Sequence, residues 1–92
     1  MPAVVSDSSP LIYFTRLGHF EWLERIFGQV VIPQAVWREI VQEGSRYPES
    51  GEVQRAVQAG WMKVEHAEVA GDTELEELDP GEAEAIALAQ RL

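Results

Sequence analysis

Three acidic residues in this 92-residue chain stand where a carboxylate can do chemistry: Asp7, Glu39 and Glu82. Asp7 follows Ala3–Ser6, a short apolar and partly β-branched run that reads as a buried strand. In open parallel sheets, ligands bind beyond the carboxyl ends of the strands, which is where Asp7 would project. Glu39 lies three residues after Val36 and beside Ile40, on the inward-leaning side of a helical segment. Glu82 opens the last helical segment. Carboxylates brought together repel one another, and their hard oxygens select Mg²⁺ or Mn²⁺ over zinc. An ion held in this way lowers the pKa of a bound water and clamps phosphodiester oxygens.

Each of the three also has a plainer use. Asp7 suits a turn or helix cap. Glu39 suits a solvated helix face, with no cation at position 35 or 43 to pair with it and Glu43 adding a second acid one turn on. Glu82 is favourable against a helix dipole. Sixteen Asp+Glu in the chain make any three acids easy to find, so the argument rests on their placement. Rival constellations are weaker. His19 and His66 lack paired ligand spacing, and Ser8 and Ser9 lack the glycine-flanked turn of a serine nucleophile. There is no glycine-rich phosphate loop, and Trp22, Trp37 and Trp61 fall within apolar periodic segments that suit a core.

Seven Lys+Arg against the sixteen acids give a formal charge of −9. Those cations are scattered, so no polybasic patch offers itself to a nucleic acid, and a divalent ion would have to bridge two anions. An apolar fraction of 46% with 25% charged residues is that of a globular chain, and the length suits one small domain over residues 1–92. With no cysteine, disulfides, thiolate zinc sites and cysteine nucleophiles are excluded. The start of the chain has no basic lead of a signal peptide, and no apolar run reaches membrane-spanning length, so the expected location is the cytoplasm.

The elements that must position the acids follow from punctuation and spacing. After the first strand, Asp7, Ser8 and Ser9 offer capping oxygens, and Pro10 suits a first helical position. A helix over Leu11–Leu17 then ends at Gly18. Phe20–Phe27 reads as a second helix, with Phe20, Trp22, Leu23, Ile26 and Phe27 inward. Val30–Ile32 is a strand, Gln34–Glu43 a helix stopped by Gly44, and Ser45–Ser50 a polar loop. Ser50 suits the cap of a helix over Gly51–Ala59, and Trp61–Val64 suits a third strand. Glu65–Asp79 holds seven acids and reads as a loop. Asp79-Pro80 repeats the cap signal before a helix over Gly81–Leu92 that is apolar on nearly every side. This alternation of strands and helices implies an α/β fold with a parallel sheet and one open edge.

The segments VVSDSSPLI (Val4–Ile12), VVIPQAVWREIV (Val30–Val41) and LDPGEAEAIALAQRL (Leu78–Leu92) resemble, in order, three sequence blocks of PIN-domain proteins, the nearest match being toxin-like prokaryotic PIN proteins of the VapC type. The resemblance implies a three-layer α/β/α parallel sheet and a metal-dependent endoribonuclease that hydrolyses single-stranded or structured RNA with Mg²⁺ or Mn²⁺. It casts Asp7 as the strand-end acid, Glu39 as the acid of the IPxxVxxEI block and Glu82 as the acid of the GExEAIxLA block, all three as metal ligands. Ser9 resembles the small hydroxyl residue that orients the first acid, and Glu84 ranks behind Glu82 in the last block. Family members continue into a further strand carrying a fourth acid, whereas this sequence stops at Leu92. The expectation is therefore a C-terminally incomplete domain that pairs as a homodimer across the edge of its first strand. The alternative is a catalytically inactive remnant that dimerises or binds a small antitoxin protein. A third reading, a generic α/β domain with dispersed acids, predicts carboxylates too far apart to share an ion.

Overall fold

The computed structural model describes residues 4–66 and 85–89. Three short strands form a parallel sheet in the order β1-β2-β3. β1 (Val4–Val5) sets Val4 opposite Val30 and Val5 opposite Val31 of β2 (Val30–Pro33). On the other side of β2, β3 (Met62–Glu65) sets Met62 opposite Val30 and Val64 opposite Ile32. Parallel neighbours cannot be joined by a tight hairpin, so helices make the crossovers. The first crossover is α1 (Ser8–Leu17) and α2 (Trp22–Phe27). The second is α3 (Gln34–Trp37), a π turn over Arg38–Glu43, and α4 (Pro48–Ala59). The parallel α/β architecture read from the sequence is thus the one observed.

All of β2 is buried, as the central strand of a sheet covered by helices must be. Around it lie Leu11 of α1, Phe20 and Leu23, Val36 and Ile40 beyond β2, Val53 and Ala56 of α4, and Met62 of β3. Trp37 and Trp61 pack partly buried against this core, and the Trp61 ring meets Phe20 at 5.8 Å between centroids. Residues 85–89 are helical, with Ala87 and Leu88 buried, while the remainder of the expected last helix and most of the acidic loop lie outside the described residues.

Several local expectations change. α1 begins at Ser8, so Pro10 occupies the third helical position rather than the first. Its end is as read: Gly18 sits at φ 77°, and its N–H reaches the carbonyls of Phe14 and Thr15. The second helix turns fewer residues inward than its composition suggests. Phe20 and Leu23 are buried, but Trp22, Ile26 and Phe27 are 38%, 58% and 37% exposed. A helix of six residues has room for one inward stripe, and Leu23 takes it. Trp22 is covered on one face by a stacked His19 ring at 4.1 Å instead of by the core.

The start of α4 differs most. The polar stretch 45–50 is not all loop: Pro48 is the first residue of the helix and Tyr47 its extended cap residue. Proline suits that position because its ring presets the helical φ and its missing N–H would have had no partner there. Ser50 consequently lies inside the helix, buried, with its Oγ accepting a hydrogen bond from Gln54 Nε2 at 3.2 Å.

Candidate active site

Parallel pairing sends β1 and β2 out of the sheet at the same edge, with Asp7 two residues beyond the end of β1 and Glu39 six residues beyond the end of β2. Asp7 follows β1 after Ser6 alone. Its position is fixed by Ser6, whose N–H donates to the Val31 carbonyl at 2.9 Å and whose Oγ donates to the Asp7 carbonyl at 3.0 Å. Asp7 is half-buried and has extended backbone at the cap position of α1. An acid at such a position ordinarily accepts from the second or third N–H of the helix. Here the Asp7 side chain makes no capping hydrogen bond. The plain structural use of this carboxylate is therefore not taken up, although its location is the one a cap would have.

Glu39 leaves the sheet with the other strand. Val36 and Ile40, both buried, hold the segment after β2 against the core, and Glu39 stands exposed between them in sequence, on the π turn. It lines a groove of about 250 Å³ with Ile12, Ile40, Glu43, Gly44, Tyr47 and Glu49. Ile12 belongs to α1, about one turn along from Asp7. Glu49 lies in the first turn of α4, where a negative charge is favourable. The groove is thus built between α1, the π turn and the start of α4.

The turn is tight at Gly44. A Cβ there would meet the Glu39 and Ile40 carbonyl oxygens at 3.0 Å each, so only glycine closes this wide turn without displacing backbone. π turns are rare and are frequently found at functional sites. Sequence reading singled out Glu39 and noticed Glu43 one turn on, but it missed Tyr47 and Glu49. Pro48 was the available signal, because a proline that opens a helix moves both residues from a loop to a helix start.

Glu82 and Glu84 lie outside the described residues. Ser9 is exposed in the first turn of α1, and no hydrogen bond joins it to Asp7 among the described residues. Also among the described residues, no group of three or more His, Asp or Glu side chains stands together in a way that could hold a metal ion. Glu39, Glu43 and Glu49 therefore share a groove without forming an ion cage of their own.

The sheet order and the acid at the strand exit define a small parallel α/β domain with carboxylates at the edge where such sheets bind ligands. The model of one protein family, described as a PIN domain, matches residues 3–92, and the chain belongs to the PIN-domain family. That match bears out the resemblance carried by the three sequence blocks at the level of the family, a nuclease-type fold whose members generally use divalent metals. Comparison with curated proteins and with solved structures brings no match. Among the described residues, no helix is long and apolar enough to cross a membrane.

Proposed function

We propose that this PIN domain is a cytoplasmic, metal-dependent endoribonuclease of the toxin type that hydrolyses phosphodiester bonds in single-stranded or structured RNA. The observation that carries this reading is Asp7: a half-buried acid at the end of β1, whose backbone carbonyl accepts from Ser6 Oγ and whose side chain does not cap the helix it begins. The donor chemistry fits the family's metal. Asp7, Glu39 and Glu82 offer hard anionic oxygens with no sulfur among them, the set that Mg²⁺ or Mn²⁺ prefers. When bound, the divalent ion supplies Lewis-acid activation of water and neutralises charge on the phosphodiester.

The chain's own residues supply the rest. Asp7 follows β1 and Glu39 follows the buried Val36 on the chain leaving β2, so the core anchors the backbone on which each carboxylate is carried. One of the three acids accepts the proton of the attacking water; Glu84 ranks behind Glu82 for this part, and Ser9 would orient Asp7 rather than react. A formal charge of −9 repels RNA, so binding as well as turnover should require the cation. The test is cleavage of single-stranded RNA in Mn²⁺ by the native chain and by Asp7→Asn, with circular dichroism to confirm folding. A loss of about 100-fold or more is expected, in line with general acid–base and charge-stabilising roles. Equal cleavage by the two proteins rejects the assignment.

A second reading, an interaction module that self-associates or binds a small antitoxin protein, is favoured by a different surface. Val4 and Ser6 direct their N–H groups to β2, so the Val5 amide between them points away from it. Among the described residues, β1 pairs with β2 alone. The flanking stretch 8–27 carries Arg16 and Arg25 against Glu21 and Glu24 and is formally neutral, whereas the chain as a whole is at −9. Two copies of this acidic protein would meet there with the least repulsion, Val5 pairing with Val5 about a two-fold axis. A monomeric mass in solution at micromolar concentration would remove the homodimer.

A further inference from the structure

We propose that Tyr47 and Arg46 form the platform on which one nucleotide of the RNA is held beside the acidic groove, with the base stacked on Tyr47 and the adjacent phosphate on Arg46. The inference rests on the ribonuclease reading and deepens it by assigning residues that grip the substrate. Tyr47 lines the same groove as Glu39 yet is 49% exposed, so its ring is not consumed by the core. Its placement is rigid. As the cap residue of α4 its N–H donates to the Gly44 carbonyl at 3.0 Å, and its own carbonyl accepts from Ser50 at 3.1 Å.

Arg46 is coupled to that ring in two ways. Its guanidinium carbon lies 5.2 Å from the ring centroid, and its Nη2 donates to the Tyr47 hydroxyl at 3.2 Å. Five donors on a guanidinium leave others available for a phosphate oxygen. The chemistry of the surroundings makes this pair stand out. The carboxylates of Glu39, Glu43 and Glu49 repel a phosphate backbone, and Arg46 brings a cation against Tyr47, which lines the same groove. An aromatic face beside an arginine is the recurring means of holding a single-stranded nucleotide without reading its sequence. The exposed Tyr13 and the stacked His19 and Trp22 stand on the first crossover, and none of the three lines the acidic groove.

The experiment is fluorescence anisotropy of a labelled single-stranded RNA oligonucleotide with the full chain, in Ca²⁺, which bridges oxygens but activates water poorly. Tyr47→Leu keeps an apolar side chain over Gly44 while removing the π face, and should weaken binding about tenfold, equivalent to about 1.4 kcal/mol at 25 °C. Tyr47→Phe should stay within about twofold. Arg46→Ala should weaken binding and lower the salt slope by about one counterion. Trp22→Ala should leave the affinity unchanged. Thermal melts of each variant report folding, and Arg46→Ala at an exposed position keeps the test usable should Tyr47→Leu melt early. Unchanged affinity in Tyr47→Leu, an equal loss in Tyr47→Phe, or no RNA binding by the native chain overturns the platform. Mn²⁺-dependent cleavage with Tyr47→Leu binding normally sinks the platform and leaves the nuclease standing. RNA binding that weakens in Tyr47→Leu but not in Tyr47→Phe, without any cleavage by the native chain, upholds the platform and sinks the nuclease.

Discussion

Two grooves flank α1, and they differ in almost every respect except the helix they share. One, of about 250 Å³, takes Ile12 from α1 and three glutamates, Glu39, Glu43 and Glu49, from the second crossover. The other, of about 320 Å³, takes Pro10 and Phe14 from α1 together with Val4, Val5, Ser6, Leu23, Phe27 and Val30, with no ionisable side chain in its lining among the described residues. Ten residues of helix thus face chemistry on one side and an apolar cleft on the other. The contrast separates what a side chain does for the fold from what it does for function. Charge in the first groove is a cost to the fold that ligand binding can recover, whereas apolar surface in the second stabilises whatever covers it.

The largest effect expected tests the shared scaffold. Leu11 is fully buried on α1 between the two grooves. Leu11→Ala should lower the unfolding free energy by about 3 kcal/mol, within the usual span for buried leucines, as read by urea denaturation. A loss under about 1 kcal/mol would show that α1 is not the wall both grooves depend on.

Next is Gly44, the hinge of the acidic groove. An added methyl must push the Glu39 and Ile40 carbonyls from 3.0 Å, and backbone yields less readily than a side chain. Gly44→Ala should therefore cost about 1–2 kcal/mol in the same titration. It should also shift Glu39, so that cleavage falls by more than the loss of folded protein explains. Loss of stability with cleavage per folded molecule intact would detach the π turn from catalysis.

The comparison also shows what could be read in the linear sequence. The apolar cleft was legible in part, because Ala3–Ser6 is a short apolar, partly β-branched run, Val30–Ile32 is a β-branched one, and Gly18 marks a helix end, which together imply a parallel sheet with an open edge. Its rim was not legible. Trp22, Ile26 and Phe27 look like core letters, and nothing local reveals that a six-residue helix turns only Leu23 to the sheet. Among the acids, Asp7 could be found from the strand end, and Glu39, which lines the acidic groove, from the apolar neighbours that anchor it. The π turn could not, since Val36, Ile40 and Val41 satisfy an ordinary helical spacing equally well. Tyr47 and Glu49 were hidden by polar neighbours that read as loop until Pro48 is taken as the first residue of a helix.

The apolar cleft has its own test. Ile26 is 58% exposed on α2, whose Phe27 borders the cleft, so Ile26→Glu should change the unfolding free energy by less than about 0.5 kcal/mol. If two copies meet at β1, the new charge should nevertheless shift the mass in solution from dimer to monomer. A dimer that survives Ile26→Glu places the contact elsewhere.

The smallest effect carries the opposite sign and concerns the acidic groove alone. Glu39 and Glu43 are four residues apart on the π turn, and Glu49 lines the same groove, so three negative charges share it. Like charges at this spacing destabilise a helix by about 0.2–0.5 kcal/mol. Glu43→Gln should therefore raise stability by about that amount at low ionic strength. The gain should shrink as salt approaches 1 M, where the Debye length falls to about 3 Å. It should shrink equally in millimolar Mn²⁺, if an ion settles near the groove and offsets the same repulsion. A gain that persists unchanged in high salt and in Mn²⁺ would mean that Glu43 is held by something other than charge, and the groove would lose its standing as an electrostatic site.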